Sequence, residues 1–127
     1  FLTIWFRSFY KYNSYIESGN FVQFKDIVIR DYPTISGLML ERYFRQRAKE
    51  EGKYTIIGNF WDRKGEHEID IILVNEHDKQ LRIGEIKRQA KNIEQYVLQE
   101  KAEYFLSLYP QLVSYEQELL ALSMEDM

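Results

Sequence analysis

Two strand-like segments separated by a short polar turn constrain this chain more than any other feature. The first covers residues 65–74 and the second residues 81–87, and β-branched and aliphatic side chains dominate both. The break between them, residues 75–80, is polar throughout. This pattern predicts two neighbouring strands that can pair as a hairpin.

Charged side chains interrupt both predicted strands. Side chains alternate between the faces of a strand, so Asp70 is expected to share a face with Glu68 and Ile72. In the second strand one face carries two aliphatic residues, an acid and a base: Leu81, Ile83, Glu85 and Lys87. In a hairpin, Asp70 and Glu85 can approach each other. Two acids held close repel unless a cation offsets them, and carboxylate oxygens suit Mg²⁺ or Mn²⁺. We therefore predict a divalent metal at these two residues.

The first half of the chain is predicted to form three helices. An aromatic-rich helix covers residues 1–16, a short amphipathic helix covers residues 21–30 and ends before Pro33, and a third runs over residues 37–51. The third helix carries Glu41 among apolar residues, where acids are rarely left unpaired. Either Glu41 pairs with a neighbouring base or it belongs to a functional site, and the residues alone leave both interpretations open.

Strands and one helix are predicted for the second half. A strand over residues 54–61 precedes the hairpin, a helix over residues 92–109 follows it, and a last strand covers residues 117–123. This order predicts an α/β or α+β sandwich with a small mixed sheet. His67 and His77 fall in turns, where we expect them to be solvated.

Composition sets the broad class of the protein. The 127 residues are 45% hydrophobic, which is enough for one globular domain with a sizeable core. No segment approaches the roughly 18 consecutive apolar residues of a membrane span. The sequence has no cysteine, which is compatible with a cytoplasmic location. It begins with Phe1 rather than Met, so we expect a piece of a longer protein.

The charge pattern allows two interpretations regarding nucleic acid. A formal net charge of -3 counts against a protein that binds nucleic acid by bulk attraction. Local basic patches still offer candidate contacts, namely Arg42, Arg45, Arg88 and Lys91. Such runs are more often a solvated helix face, and both interpretations stay open.

The combined pattern resembles the PD-(D/E)XK nuclease superfamily. That family has a helical glutamate, an aspartate in its second core strand and an E-x-K in the third, followed by a helix. The matching residues here are Glu41, Asp70, Glu85 and Lys87. Ile69 stands at the nominal proline, and Gln95 or Tyr96 falls at a supporting position on the next helix. The match covers roughly residues 36–109. It implies a restriction-endonuclease-like core, with a small mixed β-sheet flanked by helices and preceded by N-terminal helices.

A narrower resemblance covers nearly the whole chain. Residues 1–7, 58–66 and 122–127 are similar to the C-terminal domain of archaeal-type ATPases, P-loop proteins that also occur in bacteria. This resemblance implies an upstream ATPase domain and a winged helix, with residues 1–33 as the remnant of the link and residues 34–127 as the nuclease-like domain. The sequence has no Gly-x-x-x-x-Gly-Lys-Ser/Thr run, so we expect no ATP site in it.

The superfamily resemblance also implies a mechanism. Asp70 and Glu85 would hold one or two Mg²⁺ or Mn²⁺ ions with help from Glu41, and Lys87 would orient or deprotonate the attacking water. The expected function is a metal-dependent DNA endonuclease domain of an ATPase. Because some members have lost cleavage, the alternative is an inactive module that binds nucleic acid or packs against its ATPase. An oligomer is compatible with either function.

Overall fold

Helices make up the first part of the described chain and a sheet the second. The structure, a computed structural model, describes Arg7 and residues 9–127. They divide into two compact units, one reaching Met39 and the other spanning Leu40–Met127. N-terminal helices precede a four-stranded mixed sheet and a further helix, so the predicted α/β class is confirmed. Among the helices of the described residues, none is long and apolar enough to cross a membrane.

The described part of the predicted first helix is helical, with a 3-10 turn inside it. Arg7 and Phe9 are helical, Tyr10–Tyr12 forms the 3-10 turn, and helix α1 covers Asn13–Glu17. Gly19, with φ of +76°, provides the turn that ends this segment, since glycine enters the left-handed region without steric cost. The rest of the predicted first helix, residues 1–6 and 8, lies outside the described residues.

Helix α2 is continuous from Phe21 to Glu51, so the prediction of two separate helices was wrong. Pro33 lies inside it. A proline removes one backbone donor and strains the preceding turn, at a cost of about 3 kcal/mol, which a long helix can tolerate. The end of the helix is as predicted, because Gly52 takes the left-handed conformation that commonly terminates helices, with φ of +70°.

Four strands form one sheet in the order β1-β2-β3-β4. They are β1 (Ile56–Trp61), β2 (Glu68–Asn75), β3 (Gln80–Ile86) and β4 (Glu116–Leu122). The first three are antiparallel, and β4 runs parallel to β3. Helix α3 (Gln95–Leu108) makes the crossover that a parallel pair requires. The predicted hairpin of β2 and β3 is therefore present.

Each face of the sheet has its own apolar cluster. One cluster contains the buried side of α3 and alternate sheet residues, including Leu98, Ala102, Phe105, Ile72, Leu81 and Ile83. The other contains the buried side of α2 and the opposite sheet face: Leu40, Phe44, Ala48, Ile71, Leu73 and Ile86. The sheet is thus sandwiched between α2 and α3, and both helices reach the end where β3 stops.

A bulge in β2 interrupts the side-chain alternation beside Asp70. Between the pairs Gly58–Ile72 and Phe60–Ile69, β2 advances by three residues and β1 by two. As a result, Ile69 and Ile72 both pack in the cluster under α3. The strict alternation predicted through Asp70 was therefore wrong at this point. Bulges of this kind redirect a side chain, and they are frequent beside functional sites.

Candidate functional site

The predicted acidic residues meet at the end of the sheet where β2 begins and β3 ends. The pairing of β2 with β3 ends at Ile71 and Gly84, the residues next to Asp70 and Glu85. Asp70 Oδ2 accepts a hydrogen bond of 2.8 Å from the backbone N–H of Ile86. This bond fixes the orientation of the Asp70 carboxylate relative to β3.

The carboxylate of Glu85 lies beside two ammonium groups. Its side chain is only 10% exposed, and its Oε1 is 3.5 Å from Lys87 Nζ. Lys101 Nζ, from α3, donates to the same oxygen at 3.2 Å. A buried carboxylate is tolerated when such partners offset its charge. Glu85, Lys87 and Lys101 thus form a three-residue ion cluster.

Lys101 is a site residue that the sequence reasoning missed. It lies on the helical stripe of α3 that also contains Leu98 and Phe105, both buried. Its own side chain is only 19% exposed. A charged residue on an otherwise apolar stripe indicates a buried partner, because lone buried charges are very unfavourable. That signal could have identified Lys101 without showing which acid it pairs with.

Glu41 approaches the site from α2, and Arg45 connects that helix to β2. Glu41 Oε2 is 3.6 Å from the Arg45 guanidinium, one helical turn away. The same guanidinium donates to the backbone carbonyl of Asp70 at 3.2 Å. Glu41 therefore has the basic partner that one interpretation required, and it also lies close enough to Asp70 for their charges to interact.

Burial and mutual repulsion make the acids reluctant to ionise together. Burial raises the pKa of Asp70, and the negative charge of Glu85 raises it further. The hydrogen bond from the Ile86 N–H and the positive charge of Lys87 lower it. Burial also raises the pKa of Glu41, the charge of Asp70 adds to this, and Arg45 opposes it. These three acids, Glu41, Asp70 and Glu85, are called the acidic cluster below. Such a cluster favours either a bound proton or a bound cation.

The donor chemistry of this cluster fits a hard divalent cation. All candidate ligands are carboxylate oxygens, and Mg²⁺ commonly uses one or two of them together with water. In the described part of the chain, the oxygens of Glu41, Asp70 and Glu85 do not all gather within 4.8 Å of one another. These three acids therefore do not form a ready-made three-carboxylate site, and a cation would have to be held by fewer of them or draw them together.

Lys87 is the most accessible member of the cluster around Glu85. Its backbone N–H donates to the carbonyl of Leu122 in β4 at 3.0 Å. Its side chain is 45% exposed, whereas that of Lys101 is 19% exposed. A fixed backbone with an accessible ammonium allows Lys87 to contact a bound molecule while Lys101 continues to neutralise Glu85.

The other predicted nucleic-acid contacts differ in exposure. Arg42 and Lys91 are exposed, Arg88 is half-buried, and Arg45 interacts with the acidic cluster. Gln95 and Tyr96, the predicted supporting positions, are exposed in the first turn of α3. The four basic side chains thus have unequal access to solvent.

A second group of ligand-type residues lies in the turn between β1 and β2. The ligand atoms of Asp62, Glu66 and His67 are all within 4.8 Å of one another. The prediction that His67 is solvated was wrong, since its ring stacks on Tyr104 at 3.8 Å and its Nδ1 lies 3.0 Å from Asp62 Oδ2. The hydrogen bond from His67 lowers the pKa of Asp62. His77 is exposed, as predicted.

Comparison with known proteins gives one family. The family model DUF234, described as archaea bacterial proteins of unknown function, matches residues 5–106. No curated protein and no solved structure gives a significant match to the chain. The matched range includes all the residues of the acidic cluster and both lysines: Glu41, Asp70, Glu85, Lys87 and Lys101.

Proposed function

Given that this chain belongs to the DUF234 family of archaeal and bacterial proteins of unknown function, we propose that it is a metal-dependent nuclease domain that hydrolyses phosphodiester bonds in DNA. The observation that carries the proposal is the convergence of Glu41, Asp70, Glu85 and Lys87, from α2, β2 and the end of β3. Three acids and a lysine at one end of a sheet suit phosphate chemistry, where a cation and an ammonium offset negative charge.

The order of elements supports a restriction-endonuclease-like core. Helix α2 is followed by three antiparallel strands, a crossover helix and a parallel fourth strand. The superfamily that the sequence resembles places its glutamate, aspartate and E-x-K on the corresponding helix and strands. The similarity of residues 1–7, 58–66 and 122–127 to archaeal-type ATPases supports an upstream ATPase domain as partner, and with it a cytoplasmic location.

Each side chain of the cluster would have a separate role. Asp70 and Glu85 would hold Mg²⁺ or Mn²⁺, and Glu41 would add negative charge beside them. The bound ion would supply an activated water and stabilise charge on the scissile phosphate. Lys87 would orient that water or offset the developing charge, since its ammonium is the accessible one.

One observation favours a second function, an inactive module that binds nucleic acid or packs against its own ATPase. Glu85 Oε1 already has two ammonium partners, Lys87 and Lys101. Two positive charges beside one ligand oxygen weaken its attraction for a divalent cation. If the ion pairs of Glu85 with Lys87 and Lys101 persist when Mn²⁺ is present, the acidic cluster has a structural role.

Calorimetric titration of Mn²⁺ at low salt tests the proposed metal site directly. We expect binding to the wild-type protein and its loss in Asp70→Ala. His67→Gln is the matched control, because among the described residues the β1–β2 turn is another group that could take the ion. Binding that survives in Asp70→Ala but disappears in His67→Gln would place the cation in the turn and contradict the proposal.

Cleavage of plasmid DNA in Mn²⁺ then tests the chemistry. Asp70→Ala and Lys87→Ala should each abolish cleavage, whereas Lys53→Gln, which removes an exposed charge far from the cluster, should retain it. Full activity in purified Asp70→Ala would overturn the assignment. Mn²⁺ binding without cleavage of single- or double-stranded DNA would favour the inactive module.

A further inference from the structure

The last residue of β1 exposes a large aromatic ring. Trp61 is 64% exposed. The preceding residue, Phe60, packs edge-on against Phe105 of α3, with their ring centroids 5.4 Å apart. Alternation along β1 therefore places Trp61 on the opposite face of the sheet, together with Ile57, which packs in the cluster under α2. Glu41 approaches the acidic cluster from this same side.

Trp61 also lies at the acidic end of the sheet. In the pairing of β1 with β2 it is opposite Glu68, two residues before Asp70. The charge of Glu68 contributes to the raised pKa of Glu41, so this part of β2 is electrostatically coupled to the acids. A single exposed apolar residue is ordinary on a protein surface. Its position next to the candidate site is what makes this one informative.

The turn that follows Trp61 is held in a defined conformation. Asp62 accepts a hydrogen bond from Glu66 N–H at 2.8 Å, and its own N–H donates to the carbonyl of His67 at 3.1 Å. The His67 ring stacks on Tyr104 of α3. Gly65 takes φ of +69°, which closes the turn. The residues at the tip are therefore presented by a fixed support.

Two positive charges occupy that tip. Arg63 and Lys64 are exposed. Neither has a carboxylate of the described residues within salt-bridge distance, in contrast to Arg45 and Lys101. An exposed ring followed by two such cations is the combination by which proteins bind unpaired nucleotides, through base stacking and phosphate contacts.

The charge of the protein favours an unpaired strand over a duplex. A formal net charge of -3 and an acidic cluster make phosphate attraction alone a weak source of affinity. Stacking on an aromatic ring depends much less on charge, but it requires the open face of a base, which a duplex buries. We propose that Trp61, Arg63 and Lys64 form a binding site for an unpaired nucleotide, so that the substrate carries single-stranded bases next to the bond that is cut. The choice of nucleic acid as ligand rests on the proposed function.

Binding of a dye-labelled oligothymidylate, followed by fluorescence anisotropy in EDTA, tests this proposal without any cleavage. We expect Trp61→Ala to weaken binding by about tenfold or more, as loss of one base stack does, and Trp61→Phe to retain most of it. Binding to a blunt-ended duplex of two complementary strands should be weaker and insensitive to both changes. Replacing Arg63 and Lys64 together by glutamine should reduce the slope of log K against log salt by about 1.4.

Two control variants change residues at the other end of the sheet. Val113→Ala shortens an exposed apolar side chain, and Lys53→Gln removes an exposed positive charge. Both should bind the oligonucleotide like the wild type. Equal affinities of Trp61→Ala and wild type for the single strand, or no binding by the wild type, would overturn the inference. The proposed function fails separately, if Asp70→Ala still cleaves DNA in Mn²⁺ or if the wild type never does.

Discussion

At the scale of single residues, Lys87 and Lys101 share one carboxylate in different surroundings. Lys101 Nζ is 3.2 Å from Glu85 Oε1 and its side chain is 19% exposed, whereas Lys87 is 3.5 Å away and 45% exposed. Water can replace the exposed ammonium more easily than the buried one. We therefore expect separable roles, with Lys101 stabilising the fold and Lys87 free to contact the proposed substrate.

This difference predicts that substitutions of the two lysines affect stability and cleavage differently. Lys101→Met should lower the free energy of unfolding by about 1.5–3 kcal/mol, the value of a hydrogen bond to a charged group. Lys87→Met should lower it by less than about 1 kcal/mol, as for an exposed ion pair, while abolishing cleavage. Urea unfolding of both variants measures the two effects. Equal losses of stability would contradict the assignment of Lys101 as the structural partner of Glu85.

Asp70 is predicted to destabilise the metal-free protein at neutral pH. Burial raises its pKa, so the folded protein holds the Asp70 proton more tightly than the unfolded chain does. Binding of this proton stabilises the folded protein. The stabilisation is fully present below the pKa of Asp70 in the unfolded chain, about 3.9, and is lost as the pH rises through the higher pKa of the folded state. Asp70→Asn removes this loss, and its amide oxygen can still accept from the Ile86 N–H.

Thermal melts in EDTA between about pH 4 and pH 8 measure this effect. The midpoint of Asp70→Asn should exceed that of the wild type by a few degrees at pH 7, and the difference should shrink towards pH 4. Asp26→Asn, an exposed acid on α2, serves as control. Adding Mn²⁺ should raise the midpoint of the wild type only, because a ligand that binds only the folded state stabilises it. A wild type that is the more stable protein at pH 7 in EDTA would contradict the prediction.

At the scale of elements, the pairing of β3 with its neighbours depends on Gly84. A Cβ at this position would lie 2.8 Å from Ile71 Cγ2 in β2 and 3.0 Å from Leu120 Cβ in β4. Both neighbours belong to strands that hydrogen-bond to β3, so neither can move freely. Gly84→Ala should therefore destabilise the protein by about 1–3 kcal/mol, as overpacking of a core does.

Gly58→Ala provides the matched comparison, because nothing lies within 4 Å of a Cβ built at that glycine in β1. Its unfolding midpoint in urea should stay near that of the wild type. Since Gly84 precedes Glu85, the strain should also shift the acidic cluster and weaken Mn²⁺ binding. Unchanged stability of Gly84→Ala would show that β2 and β4 can separate without cost.

The sequence was informative where a local pattern decides the structure, and less so where packing does. Alternating aliphatic residues predicted the hairpin, whose pairing ends at the residues next to Asp70 and Glu85. Pro33 predicted a break, but a local rule cannot weigh the lost hydrogen bond against the rest of a 31-residue helix. The bulge beside Asp70 depends on pairing with β1, and Lys101 depends on how α3 crosses the sheet. Both are long-range features.

At the scale of the whole molecule, everything that forms the candidate site belongs to one of the two compact units. Both apolar clusters and all members of the acidic cluster lie within Leu40–Met127. A unit that contains its own core can fold alone, whereas the sequence resemblance places the domain boundary slightly earlier, at residue 34. A fragment of residues 34–127 keeps the six α2 residues 34–39 ahead of Leu40, which protects the packed part of the helix from fraying.

We therefore predict that residues 34–127 fold cooperatively and bind Mn²⁺ with the affinity of the full chain. The measurements are thermal unfolding by circular dichroism and the calorimetric titration described above. A shorter fragment, residues 52–127, is the control: it lacks Leu40, Phe44 and Ala48, so one face of the sheet loses its cover and the fragment should not fold. If the longer fragment is also unfolded, residues before 34 contribute to the stability of the site. If the shorter one folds and binds Mn²⁺, Glu41 and α2 are dispensable, and the metal site reduces to the hairpin acids Asp70 and Glu85.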